Sequence, residues 1–593
     1  VKIAVVKVWV SFFSLLLAGA VPGPATPSSV AKIPTTIEGE RHRYQIQLKL
    51  DFDALSYTGS ERVRWVNRGN DTTSVLYFHL YSNLRPDSSP PSADPSVPEN
   101  VEPRIEITEV RSAADGSPLT YSIDDQGTTL RISLREQVAS GKSTEVVIGF
   151  KGNVPEVDAD ETGLTSHVIK QVSAAIRGER ELHRPRDLNF RCRGVMLLGT
   201  SYPVLAVHNG DEWMRKLEPS VGDIIFNEIA DYEVKIETMP GVVVFSSAWE
   251  DVNKPDGEKS TVFTAGPLRE FAIIAGRNLR SEQTEVGGTA VRSVFLPEHA
   301  TVGKRVLAMA ADSLRIFRSK FGPLPFKSIT ISEAPLVAGL GSTEFSGLPV
   351  IASAFYVDFD SAAVRNLPEI IREQRPSVEQ SLEWGVAHLI AHQWWGAAVG
   401  NDPAREPVLD EALASWSALL YFRDLYDEKK AASLLEDQLQ GVYRLYRTFG
   451  GEDMNANRPS RDYRNTFQYA AVVTTKGALM FVELQRLMTD KKLLAGLGKY
   501  YQSHILEIAK LDDLRGAIVA EAPPEQRRAV IRTFNRWLAS KRGDEDIARP
   551  DRELADSLGL PAKPIQQRGA ERNALNAFAR VGKFFWQQMT RIR

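Results

Sequence analysis

The chain has 593 residues, of which 43% are apolar and 25% charged, a balance that excludes the disordered and fibrous classes. Lys and Arg (72) nearly cancel Asp and Glu (75), so no basic excess points to nucleic acid as a partner. The single cysteine, Cys192, excludes an internal disulfide and a thiolate metal cluster, so a metal site must be built from His, Asp or Glu, and Cys192 itself reads as a small buried hydrophobe.

At the start of the chain, Lys2 and Lys7, the apolar run Val8 to Leu17, and Ala18-Gly-Ala20 follow the charged, apolar, small-x-small order of a secretory signal. Residues 1–20 are therefore expected to be a signal peptide cleaved after Ala20, with export to the periplasm or outside the cell. The alternative is an uncleaved anchor, but Lys7, Ser11 and Ser14 interrupt the apolar stretch. Residues 21–36, with prolines and no periodicity, read as a linker.

From Arg41 the period is two. Tyr44, Ile46, Leu48 and Leu50 alternate with polar residues, Val146, Ile148 and Phe150 repeat the pattern, and further runs lie at Val75 to Leu80, Leu130 to Leu134 and Val242 to Phe245. Turn clusters separate them, so residues 37–280 are read as an N-terminal antiparallel β domain. Helical spacing then takes over at Val306 to Phe321, Val378 to Trp395, Glu411 to Tyr426 and Lys476 to Met488, with short strands at Ser328 to Ile331 and Val350 to Ile351. This predicts a mixed α+β domain over residues 281–541. Residues 542–593 form a C-terminal tail whose terminal helix places Leu575, Phe578, Val581, Phe585 and Met589 near one face among basic residues. It is expected either to lie on an anionic membrane surface or to dock on the preceding domain.

The chemistry-bearing segment is Glu383-Trp-Gly-Val-Ala-His388-Leu-Ile-Ala-His392-Gln-Trp-Trp-Gly396. Residues i and i+4 of a helix share a face, so both imidazoles can address one metal. Glu411, in Val408-Leu-Asp-Glu411-Ala-Leu-Ala-Ser-Trp416, supplies a carboxylate at the start of a second helix. Zn2+ accepts two His and one Glu and keeps a fourth position for water. The bland alternative is a pair of hydrogen-bonded core histidines, and Trp394 and Trp395 read as helix packing.

These segments resemble the membrane alanyl aminopeptidase family of gluzincin zinc metallopeptidases, whose helices read H-E-x-x-H-x-W-W/F-G and W-x-N-E-G-F-A. His388, His392, Trp394, Trp395 and Gly396 match the first, and Glu411, Ala414 and Trp416 the second. Gly341-Ser-Thr-Glu344-Phe-Ser-Gly347 stands where the family has G-x-M-E-N or G-G-M-E-Y. Tyr202-Pro203, Asp211-Glu-Trp213, Phe321-Gly-Pro-Leu-Pro-Phe326 and Lys476-Gly477-Ala478 extend the likeness to about residues 40 to 540. The resemblance implies a saddle-shaped N-terminal β domain and a thermolysin-like catalytic-type domain. It also implies zinc on His388, His392 and Glu411, and a site for a peptide amino group at Gly341 and Glu344.

Two departures stand out. Leu389 occupies the place of the family's general base, and a leucine cannot take a proton from water. Thr474 occupies the place of the family's oxyanion tyrosine; Tyr469, five residues earlier, is the nearest tyrosine to that segment and is taken as a further substrate-binding candidate. A positioned base contributes about 10² to 10⁴ in rate and one oxyanion donor about 10² to 10³. The expectation is a pseudo-peptidase that binds zinc, and peptides or a protein partner, with little or no hydrolysis. The alternatives are an active aminopeptidase with another base, Glu383 being the nearest carboxylate in sequence, and a metal-free scaffold at a membrane.

Overall fold

The computed structural model describes residues 41–85, 102–177, 180, 184–210, 212–251, 260–365, 372–373 and 375–558, all within one compact unit. The expected signal peptide, the linker and the terminal helix from Leu575 lie outside the described residues. Among those described, no helix is long and apolar enough to cross a membrane.

The period-two runs become strands with alternating burial. His42–Asp51 buries its even positions, Tyr44 to Leu50, at 1–4% exposure. It belongs to a six-stranded sheet ordered Ser260–Leu268, Ala230–Thr238, His42–Asp51, Ser56–Val66, Ser143–Asn153 and Arg104–Ser112. Two four-stranded sheets complete the β region. The pairing is antiparallel except between His42–Asp51 and Ala230–Thr238, which run parallel from His42 opposite Ala230 to Leu50 opposite Thr238. A helix, Leu164–Arg177, interrupts this otherwise β region. Cys192 is buried.

A five-stranded mixed sheet follows, ordered Arg280–Val286, Thr289–Phe295, Ser328–Ala334, Leu348–Ala352 and Ser342–Phe345. Its last strand is an antiparallel edge that carries Glu344 opposite Pro349. Helices Ala300–Phe321 and Arg375–His392 pack against it, Val408–Leu425 packs on both of these helices and Gly477–Met488 on Val408–Leu425, giving the α+β architecture expected from the sequence. Trp394 and Trp395 are buried helix-end packing, with Trp395 edge-on to Phe321 at 4.9 Å and its indole N–H on Ser417 Oγ at 3.1 Å.

One buried cation ties the β region to the helices. Arg269 donates to the carbonyls of Ala397 (2.7 Å), Asn227 (3.0 Å) and Glu507 (2.9 Å). Gly400 makes room for it, since a Cβ there would stand 2.2 Å from the guanidinium carbon. Gly400→Ala must displace a buried guanidinium that makes three hydrogen bonds to main-chain carbonyls. We expect a loss of about 2–3 kcal/mol of stability, read as a lowered melting temperature. An unchanged melting temperature would show that Arg269 moves freely.

Candidate metal centre

The helix Arg375–His392 puts His388 and His392 one turn apart, both nearly fully buried at 3% and 1% exposure. Each ring is held by its Nδ1. That of His392 donates to the Trp395 carbonyl (3.1 Å), and that of His388 meets Ser415 Oγ (3.2 Å). Such outer contacts fix ring orientation and present Nε2 to a metal. The two Nε2 atoms lie 3.0 Å apart, and His388 Nε2 is 3.6 Å from Glu411 Oε2. Glu411 sits in the first turn of the helix Val408–Leu425, where a carboxylate is favoured.

Within this triad one ligand atom from each residue lies within 4.8 Å of the others, and among the described residues no other His, Cys, Asp or Glu set is so placed. Zn–N distances of about 2.0–2.1 Å put the ligand atoms of a tetrahedral site roughly 3.3 Å apart, between the two separations seen here. Two imidazole nitrogens at 3.0 Å with a carboxylate beside them suit a dication. The donor set fits zinc.

Leu389 is fully buried beside His388. Thr474 lies on a π-helical run, Ala470–Lys476, and its hydroxyl donates to Glu411 Oε2 at 3.4 Å. Tyr469 ends the short preceding helix. Burial, joined by the nearby Glu411, Asp410 and Glu344 carboxylates, holds its phenol well above the ordinary range, so it stays protonated among them. Glu383 faces elsewhere, its Oε1 accepting from the hydroxyls of Tyr421 (2.8 Å) and Tyr426 (2.7 Å).

The edge strand reaches the histidine helix through Gln393, which accepts from Gly347 N–H (2.8 Å) and donates to the Phe345 carbonyl (3.2 Å). Glu344 and His392 thereby line one cavity of about 40 Å³, together with Asp223, Asn227, Glu270 and Asp410. Gly341 is at the head of the edge strand, its carbonyl accepting from Ala352 N–H, and does not line that cavity. Sequence reasoning missed Asp223, Asn227, Glu270 and Asp410. A signal existed for Glu270, because Arg269-Glu270 is a charged pair inside the apolar run Pro267 to Ile274. Gly396, at φ 105°, makes the turn behind His392, where a Cβ would lie 3.5 Å from Asp410 Oδ2.

Burial, with Asp223 adding to it, pushes the Glu270 carboxyl from its ordinary 4.5 up to about 7, against the Ser346 N–H that favours its charge. The native state therefore keeps a proton that the unfolded chain releases above about pH 4.5. Glu270 by itself is therefore expected to lower stability by about 3 kcal/mol as pH rises from there to about 7. Glu270→Gln is expected to remove that fall, measured as denaturant midpoints across this pH range. A variant that parallels the wild type would show that Glu270 carries no such proton.

Residues 370–537 match the Peptidase family M1 domain. Aminopeptidase 2 of Candida albicans is 24% identical over 298 residues, 49% of this chain and 30% of that protein. Aminopeptidase M1 of Arabidopsis thaliana is 24% identical over 300 residues, 49% and 32% respectively. The match thus spans about a third of the length of these curated relatives. The crystal structure of the M1 zinc metallopeptidase from Deinococcus radiodurans shares the fold at a TM-score of 0.55 and 14% identity, over 86% of this chain and 96% of that one. A mutant of it bound to a Tyr-Ser-Ala substrate superposes at 0.53 with 15% identity, over 89% and 96%.

Proposed function

Because residues 370–537 carry a Peptidase family M1 domain, we propose that this chain is a zinc-binding pseudo-peptidase of the alanyl aminopeptidase type. It holds zinc on His388, His392 and Glu411 and engages peptide amino termini, or a protein partner, with little or no hydrolysis. The observation that carries the reading is Leu389, fully buried next to His388, where peptide hydrolysis needs a proton acceptor.

Zinc at this site would supply a Lewis acid and a water of lowered pKa. The protein's own residues supply the rest. The Trp395 carbonyl and Ser415 orient the imidazoles, and Thr474 holds Glu411. Glu344 offers a carboxylate to an ammonium group at a cavity of about 40 Å³, room for water or an amino group and not for a side chain. Leu389 has no atom to accept a proton. Glu383, bound by two tyrosine hydroxyls, does not replace it. The order of the first twenty residues supports placing this function outside the cytoplasm.

Zinc content and turnover of aminoacyl fluorogenic substrates, measured on one sample of the purified chain, test the reading. We expect about one zinc per chain and turnover no better than trace. Robust turnover that His388→Ala abolishes would overturn it.

A further inference from the structure

Residues 223–229, outside any helix or strand, form a wall with two differently lined faces. Asp223, Ile225 and Asn227 face the cavity at His392, while Ile224, Phe226 and Glu228 face a second cavity of about 990 Å³. Residues 401–404 repeat the alternation, with Asn401 and Pro403 on the first cavity and Asp402 and Ala404 on the second, after which Arg405 and Glu406 both line the second. Arg269 is the residue common to both linings, and its three carbonyl bonds close the wall there. None of His388, His392 and Glu411 lines the larger cavity. Its volume is at the upper end of ligand sites, roughly 300–1,000 Å³, and suits several amino-acid residues more than one.

We propose that this second cavity binds a short acidic peptide that enters amino-group first, at a site separate from the histidine and glutamate cluster.

Charge is sorted by depth. The cations Lys216, Arg405 and Arg461 stand at the rim with side chains 76%, 66% and 55% exposed. The carboxylates Glu218, Glu228 and Asp402 are recessed at 28%, 19% and 18%; Glu218 pairs with Lys216 (2.7 Å) and Arg461 (2.5 Å), Asp402 with Arg405 (3.6 Å) and Glu228 with His42 (2.5 Å), so the pairs at Glu218 and Asp402 turn their cations outward. An arriving anionic segment therefore meets positive charge first, whereas hydrogen-bond donors are favoured within. On the inner lining His79 is 1% exposed, and its Nδ1 has no hydrogen-bond partner among the described residues. Burial lowers its pKa to about 4 against a hydrogen bond to the Met214 backbone; with that bond on Nε2 the ring is neutral and Nδ1 is left as an acceptor for an N–H. Phe226, Ile229 and Ile508 add apolar wall for side chains between the two ends. A nucleic acid or other polyanion would bring negative charge to the recessed Glu218, Glu228 and Asp402 as well as to the rim, which disfavours it.

The test is calorimetric titration of the full chain, at low ionic strength, with the hexapeptide Ala-Ser-Gly-Glu-Asp-Glu, its N-acetylated form, and Ala-Ser-Gly-Lys-Lys-Lys. In the Glu344→Gln chain, where the amino-group site at the histidine cluster is removed, we expect saturable one-to-one binding of the first, weakened tenfold or more by acetylation, by the lysine replacement, and by the double variant Lys216→Glu, Arg461→Glu. Both positions are more than half exposed, so the fold should persist, and Arg405→Glu provides an independent charge reversal. Binding should be unchanged in His388→Ala, which separates this site from the metal reading: either can fail without the other. Absence of saturable binding, equal binding of the acetylated peptide, indifference to charge reversal, or loss in His388→Ala would each overturn the proposal.

Discussion

Leu389→Glu is expected to raise aminopeptidase turnover of the zinc-loaded chain by about 10² or more. The substitution returns a carboxylate to the residue after His388, on a helix whose two imidazoles are already oriented by Trp395 and Ser415. Thr474→Tyr, added to it, should raise the rate again by about 10² or more, because the threonine hydroxyl already reaches Glu411 Oε2 and a phenol from the same backbone would extend past it. Both changes enlarge or charge a packed region, Leu389 being fully buried, so melting temperatures must accompany the kinetics. A folded, zinc-loaded double variant that stays inert would show that the site has drifted beyond these two positions. Wild-type turnover unchanged by Leu389→Glu would show that another group acts as the base.

His388→Ala is expected to take zinc from about one per chain to none under dialysis, and with it the thermal stabilisation that added zinc gives the wild type. A ligand present at about a thousand times its dissociation constant stabilises by about 4 kcal/mol, so the melting shift should be readily measured. The readout is independent of catalysis. Removing His388 leaves His392 and Glu411, two ligands where a catalytic-type zinc site uses three. Stoichiometric zinc retained by a His388→Ala, His392→Ala variant would place the metal elsewhere.

The clustering of His388, His392 and Glu411 was legible because its logic is local: a four-residue helical spacing and a carboxylate at the next helix start. The strands were legible for the same reason, and the alternation of Tyr44 to Leu50 survives as alternating burial. Long-range pairing was not. Nothing within His42–Asp51 says that its parallel neighbour is Ala230–Thr238, since that choice depends on how the intervening chain folds. The cavity at His392 was hidden likewise, because Asp223, Glu270, Glu344 and Asp410 come from four separate stretches. Among the lining residues that sequence reasoning missed, Glu270 alone left a local trace, in the apolar setting of Arg269-Glu270. The helix Leu164–Arg177 sits in a region dominated by strand patterns, and the π-helical run at Thr474 has no signature in composition.

The alternating wall at 223–229 bears on how this protein can diverge. From 223 to 228, substitutions at odd positions retune the cavity at His392 and those at even positions retune the larger one, so each chemistry can drift without disturbing the other. Length has no such freedom. Insertion or deletion of one residue would exchange the two linings wholesale, sending Asp223 and Asn227 toward the large cavity and Phe226 toward the metal-type residues. Among homologues, this stretch should vary in composition while keeping its residue count.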